Sequence, residues 1–321
     1  MLFKNGIDLL DSLKSYLSAN DGFTIFVPYV KNDKLVELLH ENKNCTQIVV
    51  RWLPLDIISG ASDLDVFDTC EKFGITLYRN PRLHLKAFLG QNSCYISSAN
   101  ISAKALATNE IAQFNYELGT VIDKVDLKSK VYFHQILMES ILVTEELVAA
   151  LKKELVQIEK SDSTSDFSSP MIGQFQDPFL ISALPMTSTV DTLLEIYSGK
   201  KEYSDEELNC VAHDLALYEI PMGLNRDRVL DQLQVSFNRH PFIRALKMYI
   251  EGQPSQSLNY GGVVRWIQNN TTTVPTPRSW ELKEQQLVNS LYNWICYFDS
   301  NFRWDQPSHS QVIYKIDRNS S

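Results

Sequence analysis

The sequence has no long apolar run and no paired-cysteine motif. None of its apolar stretches approaches the roughly 20 residues that a membrane-spanning helix needs. Residues 1–10 have the apolar spacing of an amphipathic helix rather than the layout of a signal peptide. The five cysteines are an odd number, widely spaced and without a C-x-x-C pair. These absences predict a cytoplasmic protein with reduced, mostly buried thiols and without a membrane partner.

Several motifs of phosphate and acyl chemistry are also missing. The chain contains no P-loop, no G-x-G-x-x-G run and no Ser-His-Asp constellation. It has no cluster of Asp, Glu and His with the spacing of metal ligands. We therefore expect a protein that needs neither a metal nor another cofactor.

Negative charge is in excess over the whole chain but is unevenly distributed. The formal net charge is −9. Residues 221–321 contain 11 Lys and Arg against 8 Asp and Glu, whereas residues 1–220 contain 19 against 31. The last third is therefore better suited to face a polyanion such as nucleic acid. A solvated surface alone could produce the same contrast.

In the first half of the chain, segments with strand character alternate with segments of helical periodicity. In order, the pattern predicts helix over 7–17, strand over 23–28, helix at 35–39, strand over 46–52, helix over 63–73 and strand over 75–78. This alternation predicts an α/β fold with a largely parallel central sheet between helices. Residues 126–159 are periodic and rich in Leu, Val, Lys and Glu, and we expect them to pack as helix across the sheet.

A polar, serine-rich stretch separates two parts of different texture. Residues 161–176 have the composition of a linker. They divide the chain into a first domain, residues 1–160, and a second domain, residues 177–321. The second domain is predicted to be mainly helical and to close with a strand over 311–316. This order fits a winged-helix-like arrangement, and it fits other helical modules as well.

The strongest chemical signal lies where two predicted strands follow each other. Residues 83–89 alternate in polarity, so in a strand His84 and Lys86 face the same side. A turn and a second apolar run predict an antiparallel neighbour, on which Ser98 and Asn100 share a face. An imidazole, a fixed cation, a hydroxyl and an amide on one sheet face suit a site for a phosphate.

A further strand is predicted over 114–122. It places Asn115, Glu117 and Gly119 on one face. H-x-K by itself is a weak signal because it is short. The conjunction of strand, turn, strand with S-x-N and strand with N-x-E is much more specific.

This conjunction resembles the signature of the phospholipase D superfamily, in its nuclease-like branch. That signature is H-x-K, a downstream G-S-x-N-like segment and a later strand with Asn and Glu. The matching residues are His84, Lys86, Ser98, Asn100 and Glu117. The resemblance covers the first domain and implies an α/β fold with a mixed sheet flanked by helices.

The resemblance also implies roles for these residues. His84 is expected to attack phosphorus and form a phosphohistidine, while Lys86 and Asn100 hold the non-bridging oxygens. Glu117 is expected to orient the imidazole, because a ring whose other N–H is held by a carboxylate is a good nucleophile near neutral pH. The cation and the amide would offset charge on the phosphoryl oxygens.

Two positions depart from the family signature. Gln91 stands where the family often has Asp, and Ser97 stands where it has Gly. Two other interpretations therefore remain open. The chain could be a relative that binds phosphate without catalysis, or His84 could be an ordinary polar residue at a sheet edge.

A single H-x-K per chain leaves the reaction one group short, since the leaving oxygen must be protonated and water activated. A symmetric homodimer would supply that group as a second His84. His134, His213, His240 and His309 are expected to be surface or packing histidines instead.

In the second domain, five basic residues recur at spacings that could line a helix face for phosphates, namely Arg226, Arg228, Arg239, Arg244 and Lys247. The expected substrate is nucleic acid, DNA or RNA, and the resemblance suggests a nuclease of restriction or phage defence with partner proteins. The alternatives are a DNA-binding or assembly subunit that has lost the chemistry, and a lipid phosphodiesterase.

Overall fold

The computed structural model describes residues 2–4, 7–107, 115–160, 179–180, 183–200, 202–272, 284–307 and 310–316. They form two compact units. The first unit holds the described residues up to Val125 and those from Glu139 to Lys160. The second unit holds Asp126–Met138 and the described residues from Phe179 onwards.

The first unit is a sheet flanked by helices. Its elements are, in chain order, β1 Phe3–Lys4, α1 Ile7–Ser18, β2 Phe23–Phe26, α2 Asn32–Glu41, β3 Cys45–Val50, α3 Pro54–Ile58, α4 Val66–Phe73, β4 Thr76–Arg79, β5 Ala87–Leu89, β6 Cys94–Ser97, β7 Leu118–Ile122, then β8 Ile141–Leu142 and α6 Glu145–Lys160. Within the described residues the sheet has eight strands in the order β1-β7-β6-β5-β2-β3-β4-β8.

The sheet is mixed, which confirms the predicted α/β class with a mixed sheet between helices. The expectation of a largely parallel sheet is wrong. Only β2–β3 and β3–β4 are parallel, and the other described neighbours are antiparallel. The segments 80–86 and 90–93 on either side of β5 are too short for a parallel crossover, which takes a dozen residues or more.

The core of this unit lies between α1 and the sheet. Leu9, Leu13 and Leu17 recur every four residues, which places them on one helix face. All three are buried in the same cluster as Phe88 of β5 and Tyr95 of β6. The cluster holds the strands that carry the candidate residues in a fixed position.

The strand predicted over 83–89 is shorter than expected. β5 begins at Ala87, which pairs with Phe26 of β2, so His84 and Lys86 lie before the strand. Two residues beyond Phe26, Pro28 has no N–H with which β2 could continue the ladder. Residues 115–117 likewise precede β7 instead of lying within it, and residue 114 lies outside the described residues.

The helix predicted over 126–159 is two helices with a strand between them. The first, α5 Leu127–Met138, belongs to the second unit, so the expectation that it packs on the sheet is wrong. The helix is interrupted where Ile141 and Leu142 pair with β4 as β8, the last strand of the sheet. The expected packing holds for α6, whose Leu147 and Leu151 lie in the first core. The proposed linker, residues 161–176, lies outside the described residues.

The second unit is mainly helical, as predicted. Besides α5 its elements are β9 Phe179–Leu180, α7 Val190–Tyr197, α8 Asp205–Leu217, α9 Arg226–Arg239, α10 Pro241–Glu251, β10 Ser257–Asn259, α11 Tyr260–Asn270, β11 Thr271–Thr272, α12 Glu284–Phe298, β12 Phe302–Asp305 and β13 Val312–Lys315. From α10 onwards the described elements run helix, strand, helix, strand, helix, strand, strand. Strands β10, β13 and β12 form an antiparallel sheet in that order, whereas β11 pairs with β9. Apart from β11, this order fits the winged-helix-like arrangement that the sequence suggested, which stays a prediction.

The second unit has its own apolar core. Phe237 of α9, Phe242 of α10 and Trp294 of α12 are completely buried in it. Helix α5 adds Val131 to the same cluster. No helix among the described residues is long and apolar enough to cross a lipid bilayer.

Candidate active site

The five candidate residues of the first unit lie at one edge of the sheet. Strands β2, β3 and β4 end at this edge. Because β5 is antiparallel to β2, β6 to β5 and β7 to β6, the start of β5, the end of β6 and the start of β7 lie there too. His84 and Lys86 precede β5, Ser98 and Asn100 follow β6, and Glu117 precedes β7. Ligands of open α/β sheets bind outside the carboxyl ends of parallel strands.

Both carboxylate oxygens of Glu117 are held by neighbouring side chains. The Ser98 hydroxyl donates to Oε2. Asn115 Nδ2 donates to Oε1 at 3.3 Å. The backbone N–H of Leu118 donates to Ser98 Oγ at 3.0 Å, which fixes the serine as well. Ser98, Asn115 and Glu117 therefore form one hydrogen-bonded group.

Lys86 lies within electrostatic reach of this group. Its Nζ donates to the backbone carbonyl of His84 at 3.0 Å. Partial burial lowers the pKa of Lys86, the positive charge of Arg51 lowers it further, and the negative charge of Glu117 opposes both. The lysine therefore interacts electrostatically with both a carboxylate and a second cation.

The side chain of His84 is exposed at this edge. Among the described residues, none forms a hydrogen bond with its ring. Glu117, the carboxylate expected to orient it, bonds Ser98 and Asn115 instead. The imidazole is therefore accessible to a substrate from solvent.

Asn100 is tied to the end of β2 through the residue that follows it. Ile101 N–H donates to the carbonyl of Tyr29 at 3.2 Å, and Lys31 N–H donates to the carbonyl of Ile101 at 2.8 Å. The Asn100 Oδ1 atom is buried and has no hydrogen-bond partner among the described residues. A buried amide oxygen without a donor costs about 1–3 kcal/mol. Such a group is expected where a ligand or water completes the site.

Gln91, one of the two departures from the family signature, lies far from these residues. It is in the turn between β5 and β6, at the opposite end of both strands from Lys86 and Ser98. Five residues of strand span roughly 16 Å. Its side chain therefore makes no direct contact with the candidate site.

One residue of the site was missed by sequence reasoning. Arg51 follows β3 at the same sheet edge and forms a bidentate pair with Asp56, with Nε–Oδ2 at 2.9 Å and Nη2–Oδ1 at 2.5 Å. It also donates to the hydroxyl of Tyr29 and lies 4.7 Å above the centre of that ring. Its position directly after a buried strand of an α/β sheet was a signal that could have found it.

The residue next to Arg51 has an unusual backbone. Trp52 is completely buried and has a φ of 45°, in the left-handed region that a bulky side chain seldom adopts. Its indole Nε1 has no hydrogen-bond partner among the described residues. The Trp52 carbonyl accepts from Nε of the buried Arg79 at 3.0 Å, which helps to hold this corner.

The five basic residues predicted in the second unit are spread over two helices. Arg226 and Arg228 lie in the first turn of α9 and Arg239 in the last, about 20 Å away along the helix. Arg244 is exposed on α10. Lys247 donates to Asn238 Oδ1 at 2.7 Å and to Asp299 Oδ2 at 2.9 Å, so its charge is already neutralised.

Of the other histidines considered as partners of His84, His134 and His213 are buried in the second unit and His240 is half-buried there. His134 and His213 pack edge to face with ring centres 5.9 Å apart. Burial lowers the pKa of His240 to about 4. His309 lies outside the described residues. Among the described residues, no three His, Cys, Asp or Glu side chains are placed to hold a metal ion.

Comparisons with known proteins give no family assignment. No family model matches the chain, and no curated protein matches it. NucT from Helicobacter pylori has a TM-score of 0.34 and 17% identity, over 44% of this chain and 99% of NucT. Phosphatidylserine synthase of Haemophilus influenzae has a TM-score of 0.33 and 14% identity, over 50% of this chain and 45% of the synthase.

A third solved structure is TrmBL2, an archaeal chromatin protein with a novel mode of DNA binding. Its TM-score is 0.24 and its identity 12%, over 50% of this chain and 52% of TrmBL2. With TM-scores below 0.5, these similarities do not establish a shared fold. The interpretation of the site therefore depends on its own residues.

Proposed function

We propose that the first unit hydrolyses phosphodiester bonds in nucleic acid, with His84 as the nucleophile. The observation that carries this proposal is the meeting at one sheet edge of residues from three separate segments, His84 and Lys86, Ser98 and Asn100, and Glu117. An accessible imidazole, a nearby cation and an amide whose Nδ2 group can donate to a phosphoryl oxygen together suit a tetrahedral anion.

The reaction proceeds in two steps. In the first, a ring nitrogen of His84 attacks phosphorus, a P–N bond forms, and the P–O bond to the leaving group breaks as that oxygen takes up a proton from a general acid. In the second, water gives its proton to the same group and its oxygen displaces the imidazole from phosphorus. Lys86 and Asn100 stabilise the charge on the non-bridging oxygens in both steps.

The general acid comes from a second copy of the chain, as the His84 of a symmetric homodimer. An exposed apolar face on β6 and β7 supports this pairing. Ile96, Leu118 and Ile122 are 38%, 50% and 42% exposed, and Leu118 directly follows Glu117. An apolar patch beside a site that needs a partner residue is a reasonable place for a two-fold contact.

Nucleic acid is the preferred substrate because the second unit carries the more basic part of the chain and has a winged-helix-like order. Lipid phosphodiesters are the alternative substrate. A role in restriction or phage defence, with further partner proteins, follows from the family resemblance and belongs to the same proposal.

One observation favours a second candidate function, a DNA-binding or assembly subunit without catalysis. The ring of His84 has no carboxylate partner among the described residues, since Glu117 bonds Ser98 and Asn115. A nucleophilic imidazole is usually held by such a partner. Trapping a phosphohistidine on His84 would exclude this candidate.

The test compares His84→Ala with a matched control in the same unit. His40 is an exposed histidine in the last turn of α2, so His40→Ala makes the same chemical change away from the site. Purified protein is incubated with labelled single-stranded and double-stranded DNA, RNA and a generic phosphodiester, each with and without a chelator.

We expect His84→Ala to abolish cleavage of the preferred substrate, by at least about 10³-fold, while folding and dimerisation stay intact. His40→Ala should cleave like the parent chain. Cleavage should persist with the chelator. Full activity of His84→Ala, or a strict need for added magnesium, would contradict the proposal.

A further inference from the structure

The helix that a winged-helix domain would place on DNA is unsuited to that role in this chain. In helix-turn-helix domains the second helix of the motif lies in the major groove, and α12 occupies that position after α11. It contains no Lys or Arg. Most of it is buried, including Val288, Leu291, Trp294 and Ile295, each at most 1% exposed. The described residues of α12 therefore offer no cation for a nucleic-acid phosphate.

A groove between α10, β10 and α11 has the side chains that a nucleic-acid surface needs. Its volume is about 520 Å³, and it is lined by Tyr249, Gln253, Leu258, Gly262, Arg265, Trp266, Asn269 and Asn270. The set contains two aromatic rings, one guanidinium and three amides, and no carboxylate. Stacking rings beside a cation are the usual means of holding single-stranded nucleic acid.

The aromatic pair of Trp266 and Tyr249 forms a platform that is partly open to solvent. Trp266 is 8% exposed, and its ring centre lies 5.2 Å from that of Phe242 and 6.0 Å from that of Tyr249. Tyr249 is 41% exposed. The tyrosine ring thus packs against a buried tryptophan and keeps part of its surface accessible to a flat ligand.

The polar groups around this platform keep free hydrogen-bonding capacity. The exposed Arg265 has no ion pair or hydrogen bond with any described residue. Asn269 is exposed as well. Gln253 Nε2 donates to the Tyr249 carbonyl at 3.1 Å and Asn270 Nδ2 to the Trp266 carbonyl at 2.8 Å, which leaves the amide oxygen of each available.

The floor of the groove is close to the backbone of α11. Gly262, in the first turn, has no Cβ, and one added there would lie 2.6 Å from Leu258 Cδ1. Asn259 Oδ1 accepts from Gly262 N–H at 2.8 Å and fixes the helix start. The shape of the groove therefore depends on the glycine in this turn.

We propose that the α10–α11 groove binds single-stranded nucleic acid, with a base stacked on Tyr249 and a backbone phosphate on Arg265. The inference depends on the nucleic-acid substrate proposed above, to which it adds strand type and a docking position. It also explains how a winged-helix-like unit can serve a nuclease without a basic recognition helix.

The test measures binding and cleavage separately. The full chain with His84→Ala serves as the parent for binding, so that the probe, a fluorescein-labelled 12-nucleotide single strand, stays intact during anisotropy titrations. Tyr249→Ala, Tyr249→Phe and Arg265→Ala are each added to it, with Lys200→Ala, an exposed lysine outside the groove, as the control for charge loss. Circular dichroism melts confirm that each variant is folded.

We expect Tyr249→Ala to weaken binding about 5- to 100-fold, as for the loss of one stacked base, and Tyr249→Phe to bind like the parent. Arg265→Ala should reduce the slope of log K against log salt by about 0.7, the value for one phosphate contact to a single strand. Lys200→Ala should change neither quantity.

Three outcomes would overturn the inference. They are unchanged affinity for Tyr249→Ala, tighter binding of duplex than of single strand, and no binding of nucleic acid by the parent. The first two leave the proposed nuclease standing if the chain with an intact His84 still cleaves DNA or RNA. If the parent binds no nucleic acid and the chain with an intact His84 cleaves none, both the groove proposal and the nuclease proposal are wrong.

Discussion

Replacing Gly119 by alanine should destabilise the first unit, because β7 has no room for a methyl group at this position. A Cβ there would lie 2.6 Å from Tyr95 Oη and 2.8 Å from Leu9 Cδ1. Both side chains are fully buried, so neither can move aside without disturbing the core. An extra methyl group forced into a packed core costs about 1–3 kcal/mol.

Urea unfolding of the full chain, followed by far-ultraviolet circular dichroism, measures this cost. For an m value of about 2 kcal/mol/M, a loss of about 2 kcal/mol lowers the midpoint of the affected transition by about 1 M. Gly261→Ala is the matched control. A Cβ at Gly261 has its nearest neighbours, Arg265 Nη1 and Asn259 Oδ1, at 3.9 Å, which is ordinary contact distance. Its midpoint should be unchanged or slightly higher.

A second substitution tests whether the clash is the cause. Tyr95→Phe removes the atom nearest to the added methyl group, although Tyr95 Cε1 and Leu9 Cδ1 remain at 3.0 and 2.8 Å. It also removes the hydrogen bond to Ser12 Oγ at 2.8 Å. We expect the double variant to be more stable than the sum of the two single effects predicts. A Gly119→Ala chain that unfolds at the parent's urea concentration would refute the steric argument.

Two further predictions concern titrating lysines. Since burial lowers the pKa of Lys86, activity should fall on the alkaline side with a midpoint below 10.5, and Lys86→Arg should move that fall to higher pH in a profile of kcat/KM. Lys130 donates a hydrogen bond to Asn209, and burial lowers its pKa to about 8. Between pH 8 and 10.5 the unfolded chain therefore binds one more proton than the folded chain, so the free energy of unfolding rises with pH in this range. Lys130→Met should reduce this rise in the free energy of unfolding by up to about 3 kcal/mol, as determined by urea unfolding across that pH range. An identical pH dependence in the variant and the parent chain would contradict this prediction.

The fold class could be predicted from the sequence more accurately than the bounds and directions of the strands. Local periodicity identified α1, the parallel strands and the helices of the second unit, because each buries a regular apolar face. It extended β5 back to residue 83, since alternation says nothing about the partner strand. The ladder ends earlier because Pro28, two residues after β2, has no N–H to donate. Local periodicity also joined α5 to α6, because helical periodicity continues across Ile141 and Leu142, and only an available sheet edge makes them a strand.

The spacing of the motif predicted which residues would share one end of the sheet, but it could not predict their hydrogen-bond partners. Glu117 lies at the same sheet edge as the other candidate residues but precedes β7, and its hydrogen bonds go to Ser98 and Asn115, which a one-dimensional motif cannot specify. Arg51 belongs to no motif and reaches the edge because β3 ends beside β2. In the second unit, helical spacing alone grouped basic residues that the structure separates.

The path of the chain has a consequence for how the molecule can be divided. Helix α5 precedes α6 in sequence, yet it packs against α8 and contributes Val131 to the second core, while α6 belongs to the first unit. The polypeptide thus leaves one unit, adds a helix to the other and returns. A fragment that starts after residue 176 would expose the side of α8 that α5 covers. A fragment that stops at residue 160 would contain α5 without α8, the helix on which α5 packs. Expression of either half needs a rearranged gene that moves residues 126–138 to the second fragment, instead of a single cut.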